Sequence, residues 1–233
     1  MAETLWSSER LYFRGVNDSD AKFLVASLSD PQTHVQLDPF LHTPPATKKG
    51  AESVKWMSEQ LLAAIICLKE PPPSTPATTT ATNGDAGVAA AATPAAEDDL
   101  HSADLKLTRI GHIVLMSGPP GQAHHRNAQI GLGLLKPYHG KGYGTEALEW
   151  VLRWGFRMAN LHRITIAGFG LNPGAKRLYE RVGFVQEGVQ REEMWYDGRY
   201  WDSWSLSMLD REWYARYGEK ETRVLAGAES VQP

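Results

Sequence analysis

The order of patterns along this chain predicts an α/β domain, one mixed sheet with helices on its faces. Two strongly apolar strand patterns, Leu61 to Leu68 and Leu107 to Gly118, come early and suit antiparallel pairing. Strand-then-helix units follow in the middle, and a hairpin closes the pattern, signalled by Asp197-Gly198 between aromatic-rich runs. Alternation of strand and helix periods calls for helices layered on a sheet.

In chain order, ERLYFRG reads as a short strand with Leu11 and Phe13 on one side, followed by a turn from Val16 to Asp18. Asp18 or Ser19 is the expected cap for a helix in AKFLVASL. Pro31 to Gly50 holds four prolines and little periodicity, so a loop with short helical pieces is expected there, then a helix over Glu52 to Gln60. Glu70 to Leu100 is rich in Pro, Thr and Ala and has no aromatic residue, which leaves little to offset the entropy of ordering. A disordered insertion over residues 70–103 is therefore expected, and closure entropy grows slowly enough with length for strands to pair across it.

After the polar turn PPGQAHHRN, Ala128 to Leu135 reads as a strand that leads through HGKGYG into a helix. On that helix Leu148, Val151, Leu152 and Phe156 recur near a 3.6-residue spacing and make one apolar face. Ile164 to Gly170 is a strand, PGAKRLYERV a helix closed by Gly183, and Phe184 begins the final hairpin. DREWYARYGE continues as a C-terminal helix and AGAESVQP should fray. One domain over residues 1–218 follows, with a flexible tail at 219–233.

Composition narrows the function. Hydrophobic residues make up 42% of the 233 and charged residues 22%, enough for one substantial core. A net charge of -3 gives no footprint for wrapping a nucleic acid. No apolar run approaches the roughly 20 residues of a bilayer span, and MAETLWSSERLYFRG scatters charges where a secretory leader has an unbroken apolar stretch. The expectation is a cytoplasmic, or also nuclear, protein with neither nucleic acid nor membrane as a partner. Cys67 is the only cysteine, which excludes an internal disulfide and a multi-cysteine zinc cluster. Within LLAAIICLKE it reads as a core thiol and not a nucleophile.

HGKGYG packs Gly140, Gly142 and Gly144 into five residues between a strand and a helix. Bare backbone there lets the amides from Gly140 to Gly144 turn toward one point at the positive end of the helix entered near Thr145, a setting for phosphate or pyrophosphate. TEA follows the glycines in place of GKS or GKT, which removes a P-loop, and no early strand-helix-strand unit surrounds the run as a dinucleotide fold requires.

HGKGYG also matches the R/Q-x-x-G-x-G/A signature of the Gcn5-related N-acetyltransferases, with His139 in the Arg/Gln place. GLLKPYHGKGYGTEALEWVLRWGF, LHRITIAGFGLNPGAKRLYERVGFVQEG, YDGRYWDSWSLSML and the opening SERLYFRGVNDSDAKFL together resemble the branch containing ribosomal-protein N-terminal acetyltransferases and spermidine acetyltransferases. The resemblance implies a mixed, mostly antiparallel central sheet flanked by helices. It implies acetyl-CoA as cosubstrate, no metal, and acetyl transfer to a primary amine of a protein N-terminus, a polyamine or another small molecule. Carried over by position, the residues meeting acetyl-CoA would be Leu134, Leu135, His139, Gly140, Lys141, Gly142, Tyr143, Gly144, Thr145, Asn172, Ala175 and Tyr179. A homodimer is left open as an assembly, and so are transfer of another acyl group and a CoA-binding module with weak catalysis.

Three residues would carry the chemistry. Direct attack by an amine on a thioester needs a neutral nucleophile and a proton for the departing thiolate. Tyr179 stands where related enzymes place that proton donor, although its ring could equally fill the helix–sheet interface. Asn172 could cap the helix after it and bond the pantetheine arm. Gln129 stands where many relatives carry a glutamate base; it cannot take a proton at neutral pH, but it can hold a water or the amine. His124 and His125 read as solvent-facing, and His139 as orienting the loop. Glu187, Glu192, Glu193 and Asp197 read as a solvated face that could also attract a cationic amine, and Trp195, Trp201 and Trp204 as packing.

Overall fold

This computed structural model describes residues 5–29, 46–69 and 107–218. The expected insertion at 70–103, the tail at 219–233 and most of the Pro31 to Gly50 loop lie outside the described residues. The strands are β1 (Leu11–Gly15), β2 (Leu62–Leu68), β3 (Thr108–Ser117), β4 (Asn127–Leu134), β5 (Arg163–Phe169), β6 (Val185–Tyr196) and β7 (Arg199–Leu209). They form one sheet in the order β1-β2-β3-β4-β5-β7-β6. Every neighbouring pair is antiparallel except β4 with β5, which run parallel.

Helices cover both faces. α1 (Ala21–Ser29) and α2 (Thr47–Ser58) lie on one, where Leu24, Val54 and Met57 bury against Ile65, Cys67 and Val114. α3 (Tyr143–Arg153) and α4 (Pro173–Val182) serve the other, where Leu148, Val151, Leu152 and Val182 join Ile66, Ile113, Leu115, Ile130 and Ile164 in the main core. β2 is apolar along its whole length because both of its faces are covered. Cys67 is fully buried, and burial raises its thiol to about 11, so it stays protonated and inert. A last helix, α5, spans residues 210–218 and buries Trp213 in the main core.

Two local expectations need correction. Asn17, not Asp18 or Ser19, is the first cap: its Oδ1 accepts from the Ser19 amide at 3.1 Å, at the head of a single 3-10 turn, Asp18–Asp20, that runs directly into α1. Asp20 closes the box by accepting from the Asn17 amide at 3.0 Å, while its fully buried carboxylate takes Arg14 at 2.6 and 2.8 Å and Arg109 at 3.3 Å. α2 begins at Thr47 and takes in Gly50, which the sequence places in a loop. A Cβ at Gly50 would lie 2.4 Å from the Ala21 carbonyl oxygen, so the glycine lets α1 and α2 approach closely. The expected hairpin turn is present, with Asp197 at φ 50° and Gly198 at φ 80°.

Candidate active site

The parallel β4–β5 pair is incomplete. Its ladder covers Asn127 to Ile130 against Arg163 to Ile166, and beyond those residues both strands continue without pairing to each other. Facing strand edges without ladder bonds leave backbone donors and acceptors for something else. A cavity of about 370 Å³ lies against this end of β4, lined by Leu132 and Leu134, by the loop from Tyr138 to Thr145, and by α4. Leu132 and Leu134 supply its apolar floor.

The three glycines serve different ends. Gly140 (φ 72°) and Gly142 (φ 85°) take left-handed backbone that L side chains avoid, and Gly142 caps α3. Gly144 has no such requirement: a Cβ there would meet Leu178 Cδ2 at 3.0 Å, so it permits α3 and α4 to close on each other. His139 lines the cavity and fastens the loop, its Nε2 donating to the Leu134 carbonyl at 2.8 Å. Because a carbonyl only accepts, the proton of the neutral ring resides on Nε2.

From the outside the loop is held by the segment before β1. Arg10 donates to the Lys141 carbonyl at 3.0 Å and to Glu146 at 2.8 Å, and its guanidinium lies 4.7 Å over the Tyr143 ring. Glu146, in the first turn of α3, also takes the Ser8 hydroxyl at 2.6 Å and the Arg10 amide at 2.7 Å. A carboxylate beside an anion site would repel the ligand, and Arg10 neutralises it.

Across the cavity, α4 brings Asn172, Ala175 and Tyr179 to one wall. Asn172 caps the helix, Oδ1 accepting from the Ala175 amide at 3.0 Å, which leaves its amide nitrogen for the cavity. Tyr179 is 7% exposed and packs against Trp204 and Phe184, with ring centroids 5.8 and 6.2 Å away. Burial pushes its phenol up to about 12, so the hydroxyl holds its proton throughout the neutral range. Trp204 can stand there because Gly168 has no side chain: a Cβ at Gly168 would sit 2.3 Å from the indole ring.

Of the residues picked out from sequence, Leu134, His139, Gly140, Gly142, Gly144, Thr145, Asn172, Ala175 and Tyr179 line this one cavity. Leu135, Lys141 and Tyr143 do not. Leu135 extends the β3 ladder through its amide to Ile110, Lys141 lies 5.7 Å over the Tyr138 ring, and Tyr143 sits under Arg10, so all three brace the loop from outside. Gln129 lies outside this cavity. Ala128, Ile130, Leu132 and Leu134 face the main core and the cavity, and strand alternation puts Gln129 on the opposite face, exposed. His124 and His125 lie on an exposed turn outside the cavity, their ring centroids 3.9 Å apart and their planes tilted by 45°.

The acidic residues of the hairpin do not form one cation trap. Glu187 is bound by Arg163 through two contacts, one of 2.6 Å, and those hydrogen bonds hold its carboxyl below its usual range. Glu193 accepts from the Ser203 hydroxyl. Trp195 is 60% exposed against Tyr200, whereas Trp204 is core. Sequence reading missed Leu132, Tyr138, Gly174, Arg177, Leu178 and Arg181 on the cavity wall, and a repeat of Arg at i, i+4 was the one available signal for the last pair. It also missed His112, a β3 residue whose buried Nδ1 has no hydrogen-bond partner among the described residues. Among the described residues no group of three or more His, Cys, Asp or Glu could hold a metal ion, and no helix is long and apolar enough to cross a membrane.

The profile of the Acetyltransferase (GNAT) domain matches residues 10–185. This chain belongs to that family. Solved structures agree on the GNAT fold: an acetyltransferase of this family from Bacillus anthracis aligns with TM-score 0.62 at 19% identity, over 88% of this chain and 98% of its own. Spermidine N-acetyltransferase from Vibrio cholerae, solved with CoA and spermine, gives TM-score 0.62 and 19% identity over 88% and 99%. By sequence, the spermidine N(1)-acetyltransferase of Vibrio cholerae is 34% identical over 92 residues, 40% of this chain and 53% of that protein. YdaF of Bacillus subtilis, whose name assigns it provisionally as a ribosomal N-acetyltransferase, is 33% identical over 89 residues, 38% and 49% of the two chains. The matched stretch thus spans about half the length of these relatives.

Proposed function

We propose that this GNAT domain transfers the acetyl group of acetyl-CoA to a primary amine. The observation that carries the reading is a single cavity that joins the amide-rich entrance of α3 to Tyr179 along the end of β4 that is unpaired with β5. The residues present fit such a ligand end to end. Backbone from Gly140 to Thr145, at the positive end of α3, suits the pyrophosphate. The unpaired strand edges and the free amide nitrogen of Asn172 suit the two amides of a pantetheine arm, and Leu132 and Leu134 its methylenes. When bound, acetyl-CoA would supply an acetyl group activated as a thioester.

What the chain contributes is position and a proton. Tyr179 Oη, kept protonated by burial, donates to the departing sulfur as the amine attacks the carbonyl. The ring is fixed by Trp204 on its flank, so the donor loses little entropy at the moment of transfer. Among the described residues the cavity lining carries no carboxylate, so in this reading water takes the proton from the acceptor. Relatives named for spermidine and for ribosomal N-acetylation make polyamines and protein N-termini the acceptors of first choice.

The reading is tested by incubating purified protein with acetyl-CoA and longer acyl-CoAs against a panel of polyamines and short peptides, with mass spectrometry of the amines and assay of free CoA thiol. An acetylated amine and stoichiometric CoA are expected, with turnover falling about 100-fold in Tyr179→Phe at unchanged acetyl-CoA affinity. Parental turnover in Tyr179→Phe, where chemistry limits the rate, would remove the tyrosine from this role; failure of acetyl-CoA to bind would end the whole proposal.

A further inference from the structure

The C-terminal end of α4 is closed by a second helix. An α-helix leaves its last four carbonyls without partners inside it, here those of Tyr179, Glu180, Arg181 and Val182. The chain reversal after α4 satisfies the first two: the Gly183 amide donates to the Tyr179 and Glu180 carbonyls at 3.1 Å each, and the Phe184 amide to the Tyr179 carbonyl at 3.0 Å. The other two are satisfied by α5. Its neighbouring residues Arg216 and Tyr217 reach back, the guanidinium donating to the Arg181 carbonyl at 2.7 Å and the phenol to the Val182 carbonyl at 2.7 Å. Gly183 makes room for them, since a Cβ there would stand 3.1 Å from Arg216 Cδ. α5 is itself anchored, because Trp213 is buried in the main core with its ring centroid 6.1 Å from that of Tyr217.

Place gives these two bonds their consequence. Arg181, Val182 and Gly183 lie between Tyr179 and Phe184, whose ring centroids are 6.2 Å apart, so α5 grips the corner against which the Tyr179 ring rests. A cation beside the end of a helix is also favoured by its dipole. Burial raises the Tyr217 phenol above its ordinary value, which keeps the hydroxyl a donor. The matched family profile stops at residue 185, and α5 lies beyond it. No α5 residue lines the cavity. We propose that Arg216 and Tyr217 are positioning residues for acetyl transfer: by closing the end of α4 they hold Tyr179 where its hydroxyl meets the departing thiolate. This rests on the reading above in which Tyr179 supplies the proton. A donor fixed in advance loses less freedom when the proton moves, so the contribution falls on turnover and not on cosubstrate binding.

A double-mutant cycle with Tyr179→Phe tests this in the full chain, under conditions where chemistry limits the rate and circular dichroism shows every variant folded. Tyr217→Phe removes only a hydroxyl, and Arg216→Met keeps most of the stem while losing the donors. With an amine that the parent acetylates, each should lower kcat about fivefold, the equivalent of one hydrogen bond, and move KM for acetyl-CoA by less than about twofold. In the Tyr179→Phe background the same substitutions should change kcat by less than about twofold, because the group they position is gone. Amide exchange at Gly183 and Phe184 gives a readout independent of turnover and should quicken about fivefold in either variant. An equal loss of kcat in both backgrounds would overturn the proposal, since a merely stabilising pair behaves that way. Parental kcat in both variants, with Tyr179→Phe slow, would overturn it too while leaving the proton donor standing. Parental turnover in Tyr179→Phe alone would take down the donor and the positioning together. Should Arg216→Met fail to fold, Tyr217→Phe carries the test by itself.

Discussion

Acidification should destabilise this domain through His112, a residue outside the proposed chemistry. Burial in β3 lowers its imidazole from an ordinary 6.5 to about 4, and the buried Nδ1 meets no acceptor among the described residues. As pH falls below about 6.5 the unfolded chain takes the proton first, and the folded chain follows only near pH 4. Stability from this group is therefore whole above pH 6.5 and declines between 6.5 and 4. A gap of about 2.5 pH units at about 1.4 kcal/mol each sets a ceiling of about 3.5 kcal/mol, of which about 2 kcal/mol falls between pH 7 and pH 5. Urea unfolding of the parent and of His112→Leu at both pH values isolates the effect, because leucine neither titrates nor leaves an orphaned polar atom. Carboxylates titrate in both proteins and cancel in the comparison. These include Asp20, whose burial opposes ionisation but whose hydrogen bonds from Arg14 and the Asn17 amide hold it below its ordinary value. The parent should lose about 2 kcal/mol more than the variant on going to pH 5. Equal losses would refute a buried neutral imidazole at this position.

Two further substitutions probe how the site is held. Gly168→Ala places a methyl 2.3 Å from the Trp204 ring, so urea unfolding should show a loss of about 2 kcal/mol from overpacking. Steady-state kinetics should show lower turnover as well, because Trp204 props Tyr179. Arg10→Ala frees Glu146 and the Lys141 carbonyl at the glycine loop; KM for acetyl-CoA should rise about fivefold, the equivalent of one hydrogen bond, with kcat changed less. Arg10→Lys should restore part of that loss.

Much of the architecture was legible because it is written locally. Leu148, Val151, Leu152 and Phe156 repeat at helical spacing and are all buried, and Gly183 at φ 115° ends α4 as its sequence suggests. Asp197-Gly198 turns with both residues at positive φ, since the dipeptide tolerates that backbone wherever it occurs. Gly50 misled for the opposite reason: its place in α2 is owed to Ala21, a residue on another helix.

The candidate site divides along the same line. Its glycine loop, Asn172 and Tyr179 were readable from residue types and spacing, and nine of the twelve residues expected to meet acetyl-CoA line one cavity. Sequence alone could not say that β4 and β5 part beyond Ile130 and Ile166, that Gln129 faces away, that Arg10 neutralises Glu146, or that Arg177 and Arg181 close the wall. Periodicity and turn chemistry depend on neighbours a few residues apart, so the sequence determined the elements and the identity of the loop. Strand order, the gap in the sheet and the company of each charge depend on residues brought together from more than a hundred positions away, as Arg10 and Glu146 are, and only the folded chain could decide them.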